Sequence, residues 1–272
     1  MDKKIAVVTG GASGIGQALC RELVQQKVFV IISDINEQSG KKFEAELNNE
    51  RITARYAYIN VSEYDHVERL LTEIHNEFGR IDYLFNNAGI AMYGELHDMT
   101  IEDWKEIMDV NLWGVINGTQ AGYNLMKKQG FGYIVNTASA AGLGPSPVSS
   151  AYSATKHAVV GLTTSVHYEA EEFGIHVSAL CPAFVDTPIF EAAKAININK
   201  AVITRQLKKQ KMMTPEKLAK IALDGVHRNK PIICPMPMRR TMDIFFTLFP
   251  PAHKGLMRFI CKVSRKARIL KD

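Results

Sequence analysis

Six short stretches of the chain are almost continuously apolar: KIAVVT (4–9), VFVIIS (28–33), TARYAYI (53–59), IDYLFN (81–86), GYIVNTA (132–138) and IHVSALC (175–181). They are brief and rich in β-branched residues, as strands buried on both faces are. Between them, apolar positions recur at helical spacing, which predicts helices over about 14–26, 36–49, 63–78, 100–128 and 151–173. Strand and helix in regular alternation predict an α/β fold, a parallel sheet covered on both faces. In such sheets ligands sit beyond the carboxyl ends of the strands.

With 272 residues, 46% of them hydrophobic, the chain can bury one large core, and no composition break or repeat marks a second unit within 1–238. The N-terminal MDKKIAVVTG reads as a first strand and not as a signal peptide. No run of 18 apolar residues argues for a spanning helix. Cys20, Cys181, Cys234 and Cys261 are scattered, with no CxxC or Cys/His cluster. That pattern suits reduced thiols in the cytoplasm and argues against a metal site. Charge changes the picture at one end only. Residues 239–272 hold nine Lys/Arg against two Asp/Glu, net +7, while 1–238 hold 24 basic and 26 acidic residues, net −2. A nucleic-acid surface would need basic charge spread over a recognition face, and none is expected.

Chemistry gathers at the predicted strand ends. The first strand runs into TGGASGIG (9–16), which places Gly10, Gly14 and Gly16, with Ser13 and Ile15, between a strand and a helix. Glycines there permit a tight turn and close backbone approach to a pyrophosphate, which the helix N-terminus attracts. Asp34 follows Gly16 by 18 residues and ends the second strand. Its carboxylate can accept hydrogen bonds from ribose hydroxyls and would repel a 2′-phosphate. A phosphorylated cofactor would want a basic residue at Ser13 or Ile35, and neither is basic. NAD is therefore expected over NADP. The other reading of Asp34 is as the N-cap of the next helix.

Tyr152 and Lys156 stand four apart in SSAYSATKHAVVG (149–161), so a helix there stacks them on one face. A solvated surface pair is the commoner reading of that spacing. The active reading is acid–base chemistry. A tyrosine titrates near pH ~10, and bringing it close to neutrality takes about 4 kcal/mol of charge stabilisation, which a buried neighbouring cation can supply.

NNAG (86–89), Asn111 in DVNLWG, Ser139 in NTASAAG and Tyr152-x-x-x-Lys156 occur in order after the glycine turn. With these the chain, over 4 to about 190, resembles the short-chain dehydrogenase/reductase family. The resemblance implies a single doubly wound Rossmann-type domain, with a parallel sheet of about seven strands. It implies a catalytic tetrad of Asn111, Ser139, Tyr152 and Lys156. Ser139 would orient the substrate oxygen, Lys156 would hold the nicotinamide ribose, and Asn111 would anchor a water that relays protons. Asn87, Ala88 and Gly89, with Pro182, Val185 and Thr187, would line the cofactor. Asn60-Val61 would meet the adenine where the family usually has Asp-Val, and Pro182-Ala183 replaces the usual Pro-Gly. Relatives commonly pair the equivalents of helices 100–128 and 151–173, which implies a homodimer or homotetramer.

The expected activity is hydride transfer between NAD(H) and a lipophilic secondary alcohol or ketone, such as a steroid, retinoid, terpenoid or long-chain compound. Loops 90–96 and 140–150 and a lid over 184–213 are expected to form the pocket. Met92, Leu143, Pro147, Phe184, Ile189 and Phe190 would make it apolar, and no arginine stands nearby to clamp a carboxylate. The same residues could instead simply pack the lid on the core. A carrier-bound ketoacyl reductase and a non-catalytic NAD(H)-binding sensor or scaffold are the alternatives. The remaining segment, 239–272, predicts a basic amphipathic extension: Leu256, Phe259, Ile260, Val263, Ala267 and Leu270 share one helical face. It is expected to contact a membrane surface, the lid or a partner subunit.

Overall fold

The computed structural model describes residues 3–208, 212–236 and 239–269. The part of the expected lid at 209–211, and Leu270 of the extension, lie outside the described residues. The chain runs β1 (Ile5–Thr9), α1 (Gly14–Gln25), β2 (Phe29–Asp34), α2 (Glu37–Leu47), β3 (Ala54–Tyr58), α3 (Tyr64–Phe78) and β4 (Tyr83–Asn86). It continues through β5 (Met92–Tyr93), α4 (Ile101–Met108), α5 (Gly114–Gln129), β6 (Gly132–Thr137), α6 (Ser150–Ala170) and β7 (Ile175–Leu180). Beyond these come α7 (Ile189–Ala192), β8 (Lys194–Ala195), α8 (Lys200–Lys208), α9 (Pro215–His227), β9 (Ile232–Ile233), α10 (Arg239–Leu248) and α11 (Pro250–Arg265).

Seven strands form one parallel sheet in the order β3-β2-β1-β4-β6-β7-β9. The chain winds outward from β1 in one direction and then, from β4, in the other. This reversal leaves a crevice above the carboxyl ends of β1 and β4. Strand alternation divides the core into two layers. Ala6, Val8, Val30 and Ile32 face the layer built with Leu19 and Leu23 of α1 and Leu218 and Leu223 of α9. Ile5, Val7 and Ile31 face Val67, Leu71 and Ile74 of α3 and Ala121 and Met126 of α5. Both faces of the sheet are therefore dry, which is why the strands read as unbroken apolar runs.

The six predicted strands lie within two residues of their expected positions. The seventh, β9, has only two residues and gives no periodic signal. One predicted helix is interrupted. The stretch 100–128 becomes α4 and α5 joined by a π turn over Asp109–Trp113, in which the Gly114 N–H donates to the Asp109 carbonyl five residues back. Gly114 lacks a side chain where one would sit 2.7 Å from Val61 Cγ2, and the Asn117 amide donates to the Val61 carbonyl at 2.9 Å. The wider turn swings Asn111 toward the carboxyl end of β4.

Candidate active site

The ends of β1, β4 and β6 are tied to one another by side chains. Thr9 Oγ1 accepts from the backbone N–H groups of Asn87 and Ala88 at 2.9 and 3.1 Å. The Asn87 amide donates to the Thr9 carbonyl at 3.1 Å, and its oxygen accepts from Thr137 Oγ1 at 3.2 Å. Around this tie the chain turns tightly. Gly10 and Gly14 have φ of +62° and +49°, in the left-handed region that glycine adopts without strain. A side chain on Gly16 would collide with the Gly10 carbonyl and come within 2.8 Å of Asn87 Nδ2. The turn and the start of α1 thus form a backbone cradle with its first N–H groups outside the helical ladder.

Asp34 lies at the lip of that cradle. Its carboxylate accepts from the Ala12 N–H at 3.0 Å and from the Asn36 N–H at 2.9 Å. The N-cap of α2 is Asn36, whose side chain accepts from the Ser39 N–H, so Asp34 is not spent on capping that helix. Ile35 beside it is 62% exposed, with room at the position where a basic residue would read a phosphate. Asn60 turns toward Ser62 and Glu63 and braces the turn before α3. Its neighbour Val61 packs against α5.

Tyr152 and Lys156 occupy the first turns of α6 and point into the crevice. The Ser139 hydroxyl lies near the Tyr152 phenol and favours its ionised form, and the Ser139 oxygen accepts from the Ala141 N–H at 3.1 Å. Lys156 is 3% exposed, donates to the Thr137 carbonyl at 2.8 Å, and lies 5.6 Å from the centre of the Tyr152 ring. This geometry rules out the solvated surface pair. Burial raises the phenol above its ordinary pKa, against the effect of Ser139, and pushes the lysine down to about 8. The surroundings thus favour the neutral forms of both groups. Asn111 is fully buried and spends both ends of its amide on Ile90: the oxygen accepts from the Ile90 N–H at 2.8 Å, and Nδ2 donates to the Ile90 carbonyl at 2.9 Å. It therefore positions the 87–90 loop instead of facing the crevice.

A cavity of about 630 Å³ joins the glycine turn to Tyr152 and Lys156, while Asp34, Ile35, Asn60, Val61 and Asn111 stand outside its lining. Gly10, Ser13, Gly14, Ile15 and Asn87–Gly89 line one end, with Pro182, Val185 and Thr187 opposite. Ser139, Tyr152 and Lys156 stand at the centre, and Pro147, Phe184, Ile189 and Phe190 are in the far wall. Two expected wall residues are corrected. Met92 is buried against Ile107 and Ala151, because β5 pairs with β8 and its alternation turns Ala91 and Tyr93 to the cavity and Met92 away. Leu143 follows a 3₁₀ turn whose Gly142 presses on the backbone of Lys156, and it packs into the cluster of Val115, Val159 and Cys181.

The cavity is closed by Tyr93 and Ile203, from the expected loop 90–96 and lid 184–213, and by three residues outside the expected segments, Met236, Ile260 and Ser264, the last two from α11. The chain after α11 is held by a short antiparallel ladder: the Asn199 N–H donates to the Ala267 carbonyl at 2.7 Å, and the Ile269 N–H to the Asn197 carbonyl at 3.0 Å. Arg265 pairs with Glu95 at 2.7 Å, and Arg268 reaches Asp98 at 3.4 Å. Glu95, His97 and Asp98 lie close enough to hold a cation, but these arginines already occupy both carboxylates.

The family model for short chain dehydrogenases matches residues 4–197, and the chain belongs to that family. It is an oxidoreductase of the short-chain dehydrogenase/reductase type. It is 37% identical over 186 residues to a 3-alpha-(or 20-beta)-hydroxysteroid dehydrogenase of Mycobacterium tuberculosis, covering 68% of this chain and 70% of that one. To the 3-oxoacyl-[acyl-carrier-protein] reductase FabG of Haemophilus influenzae it is 37% identical over 191 residues, 70% of this chain and 78% of that one. Among solved structures, a short chain dehydrogenase/reductase from Burkholderia phymatum in complex with NAD superposes with a TM-score of 0.82 at 28% identity, over 89% of this chain and 92% of that one.

The family model's match ends before Ile203, Met236, Ile260 and Ser264, so this part of the closure lies beyond it. Its attachment is electrostatic at the rim. The Arg265 hydrogen bond holds the Glu95 carboxyl below its usual range, and the Asn197 hydrogen bond, with Arg268, does the same for Asp98. A depressed carboxyl pKa stabilises the attached state above the ordinary carboxylate range and is lost as pH falls through the lowered values. Glu95→Ala is expected to speed tryptic cleavage within 255–269 at neutral pH while leaving the global melting temperature nearly unchanged, as exposed pairs contribute little. Unaltered cleavage would assign the attachment to the 197–199 ladder alone.

Proposed function

We propose that the protein transfers a hydride between NAD(H) and a lipophilic secondary alcohol or ketone, with Tyr152 as the general acid and base. The observation that carries this reading is the Ser139–Tyr152–Lys156 group at the centre of a cavity whose one end is the glycine cradle. The residues present fit NAD. The cradle has no room for a side chain at Gly16, Asp34 presents a carboxylate at the ribose position, and Thr187 covers Gly14 from above. The NAD complex of the Burkholderia relative supports the same reading. The 10–16 turn would hold the pyrophosphate, Asp34 the adenine ribose, and Asn87–Gly89, Lys156, Val185 and Thr187 the nicotinamide half.

When bound, NAD supplies the hydride acceptor and a positive ring beside the phenol. In ketone reduction Tyr152 gives its proton to the substrate oxygen, and its raised pKa keeps that proton in place until transfer. In alcohol oxidation it takes the proton, and Ser139 donates a hydrogen bond to the oxygen as charge develops. Lys156 stabilises the phenolate across the turn. Lipophilic substrates suit the walls: among the described residues, Lys156 is the one charged side chain in the lining. A carboxylate would meet no arginine there. The hydroxysteroid dehydrogenase relative favours this substrate class, and the acyl-carrier-protein reductase relative favours the second reading, a ketoacyl reductase. Asp34 weighs against the phosphorylated cofactor that such reductases usually take. We further propose a homodimer or homotetramer formed on the outer faces of α4, α5 and α6, where Trp113 and Tyr168 are exposed.

Tyr152→Phe is expected to lower turnover by about 10²–10⁴-fold, the usual worth of a positioned acid–base group. NADH binding, read by nicotinamide fluorescence, should persist. Unchanged turnover would sink the mechanism, and no turnover in the unmodified protein across a panel of alcohols and ketones would favour the sensor or scaffold. For cofactor choice, the unmodified protein should prefer NAD, and Asp34→Ser with Ile35→Arg should move the kcat/KM ratio toward NADP. A native preference for NADP would overturn the role given to Asp34. Sedimentation at micromolar concentration should give a dimer or tetramer, and a monomer there contradicts the assembly.

A further inference from the structure

Helices α10 and α11 carry two features that hydride transfer does not use. The first is apolar. Ile244, Phe245, Leu248 and Phe249 of the α10 segment and Leu256 and Phe259 of α11 are all exposed, with Leu248 at 67% and Phe259 at 63%. Phe245 meets Phe246 edge-on and Phe249 at a tilt, with ring centres 5.5 and 5.1 Å apart, so these three aromatics form one cluster. The second is cationic. A shallow groove along α11 is lined by Lys254, Met257, Arg258, Cys261, Lys262 and Arg265. Leu256 and Phe259 lie about 60° apart around the helix, beside and not within the arc of the cations. The inner edge of the same helix, at Ile260 and Ser264, faces the cavity.

We propose that these two helices seat the protein on the surface of an anionic lipid bilayer. The cations would meet lipid phosphates and headgroup carboxylates, and the phenylalanine and leucine side chains would enter the acyl boundary. Charge complementarity selects this occupant over the others. Residues 239–269 contain a single acid, Asp243, against eight Lys/Arg, of which only Arg265 and Arg268 are engaged by Glu95 and Asp98 among the described ion pairs. A two-fold contact with a second copy would press that same basic face against itself. A nucleic acid would satisfy the cations but leave the phenylalanine cluster in water. A bilayer surface takes both, and no described helix is long and apolar enough to cross it. The proposal does not depend on the assigned substrate, although a lipophilic one would reach the cavity from the same side as Ile260.

The test is co-sedimentation of the full-length protein with phosphatidylcholine vesicles, with and without phosphatidylserine. Binding is expected to be at least about tenfold stronger with phosphatidylserine. It should collapse on raising salt from 0.1 to 1 M, which shrinks the screening length from about 10 to about 3 Å. Arg258→Glu with Lys262→Glu should abolish it, and Phe259→Ser with Leu248→Ser should weaken it about tenfold. All of these side chains are exposed and none lines the cavity, so melting temperature and turnover of a soluble substrate should hold. Tyr152→Phe should bind vesicles like the unmodified protein, which separates this proposal from the catalytic reading. Equal sedimentation with both vesicle types, or none, overturns it. Loss of a dimer in Phe259→Ser without any vesicle binding would assign the face to a second copy instead.

Discussion

The structure depends on a knot of hydrogen bonds where β1, β4 and β6 end. Asn87 donates to Thr9, accepts from Thr137, and has its own N–H bound by the Thr9 hydroxyl. Thr137 then offers its carbonyl to Lys156 on α6. Three strands and one helix are thereby held in register by groups that have exchanged water for each other. Leaving any of them buried and unmatched would cost about 1–3 kcal/mol, more for the charged lysine. The glycine turn is packed on this knot, since Gly10 and Gly16 approach Ala88 and Asn87 too closely for side chains. The cofactor cradle and the acid–base pair are thus two ends of one rigid object.

Electrostatics follow from where the knot sits. Lys156 is buried because its ammonium is needed at the Thr137 carbonyl, and burial lowers its pKa. Tyr152 is half-buried beside the apolar cluster of Met92 and Ile107, and loss of water around its phenol raises its pKa. Both shifts weaken the charge-separated phenolate–ammonium pair that a sequence reading would assign to these residues. A proton held firmly by a neutral tyrosine suits donation to a ketone oxygen. Removal of a proton from an alcohol calls for added positive charge in the site. The direction of easy chemistry is therefore set partly by how dry the protein keeps the pair.

Much of this was legible in the sequence because its signals are periodic or local. Apolar runs of six or seven residues mark strands buried on both faces, and the glycine turn and Tyr-x-x-x-Lys spacing are each local in the chain. What was not legible depends on contacts between elements. The π turn at 109–113 arises from Asn111 reaching Ile90 and Gly114 yielding to Val61, and no period announces it. Met92 and Tyr93 are adjacent apolar residues, and only the pairing of β5 with β8 decides which one faces the cavity. Leu143 sits in a loop whose sequence position points to the cavity, but the close contact of Gly142 with α6 turns it into the core. Ile260 and Ser264 were read as parts of an amphipathic extension, where helical spacing shows a face but not its partner.

That extension shows how one helix can serve three surroundings. Its inner edge closes the cavity with Ile260 and Ser264, and Ala267 just beyond it packs on Ile198 and Ile203. Its rim is held through Arg265 and Arg268, whose ion pairs with Glu95 and Asp98 are open to water and screened by salt. Its outer side offers cations and phenylalanines to the solvent. The knot beneath is buried and costly to disturb, whereas the closure above is joined by exposed pairs and a two-bond ladder. Motion is therefore expected where the bonds are cheap. Catalytic geometry stays fixed while the wall nearest the outside yields, so whatever that outer side touches bears on access to Tyr152.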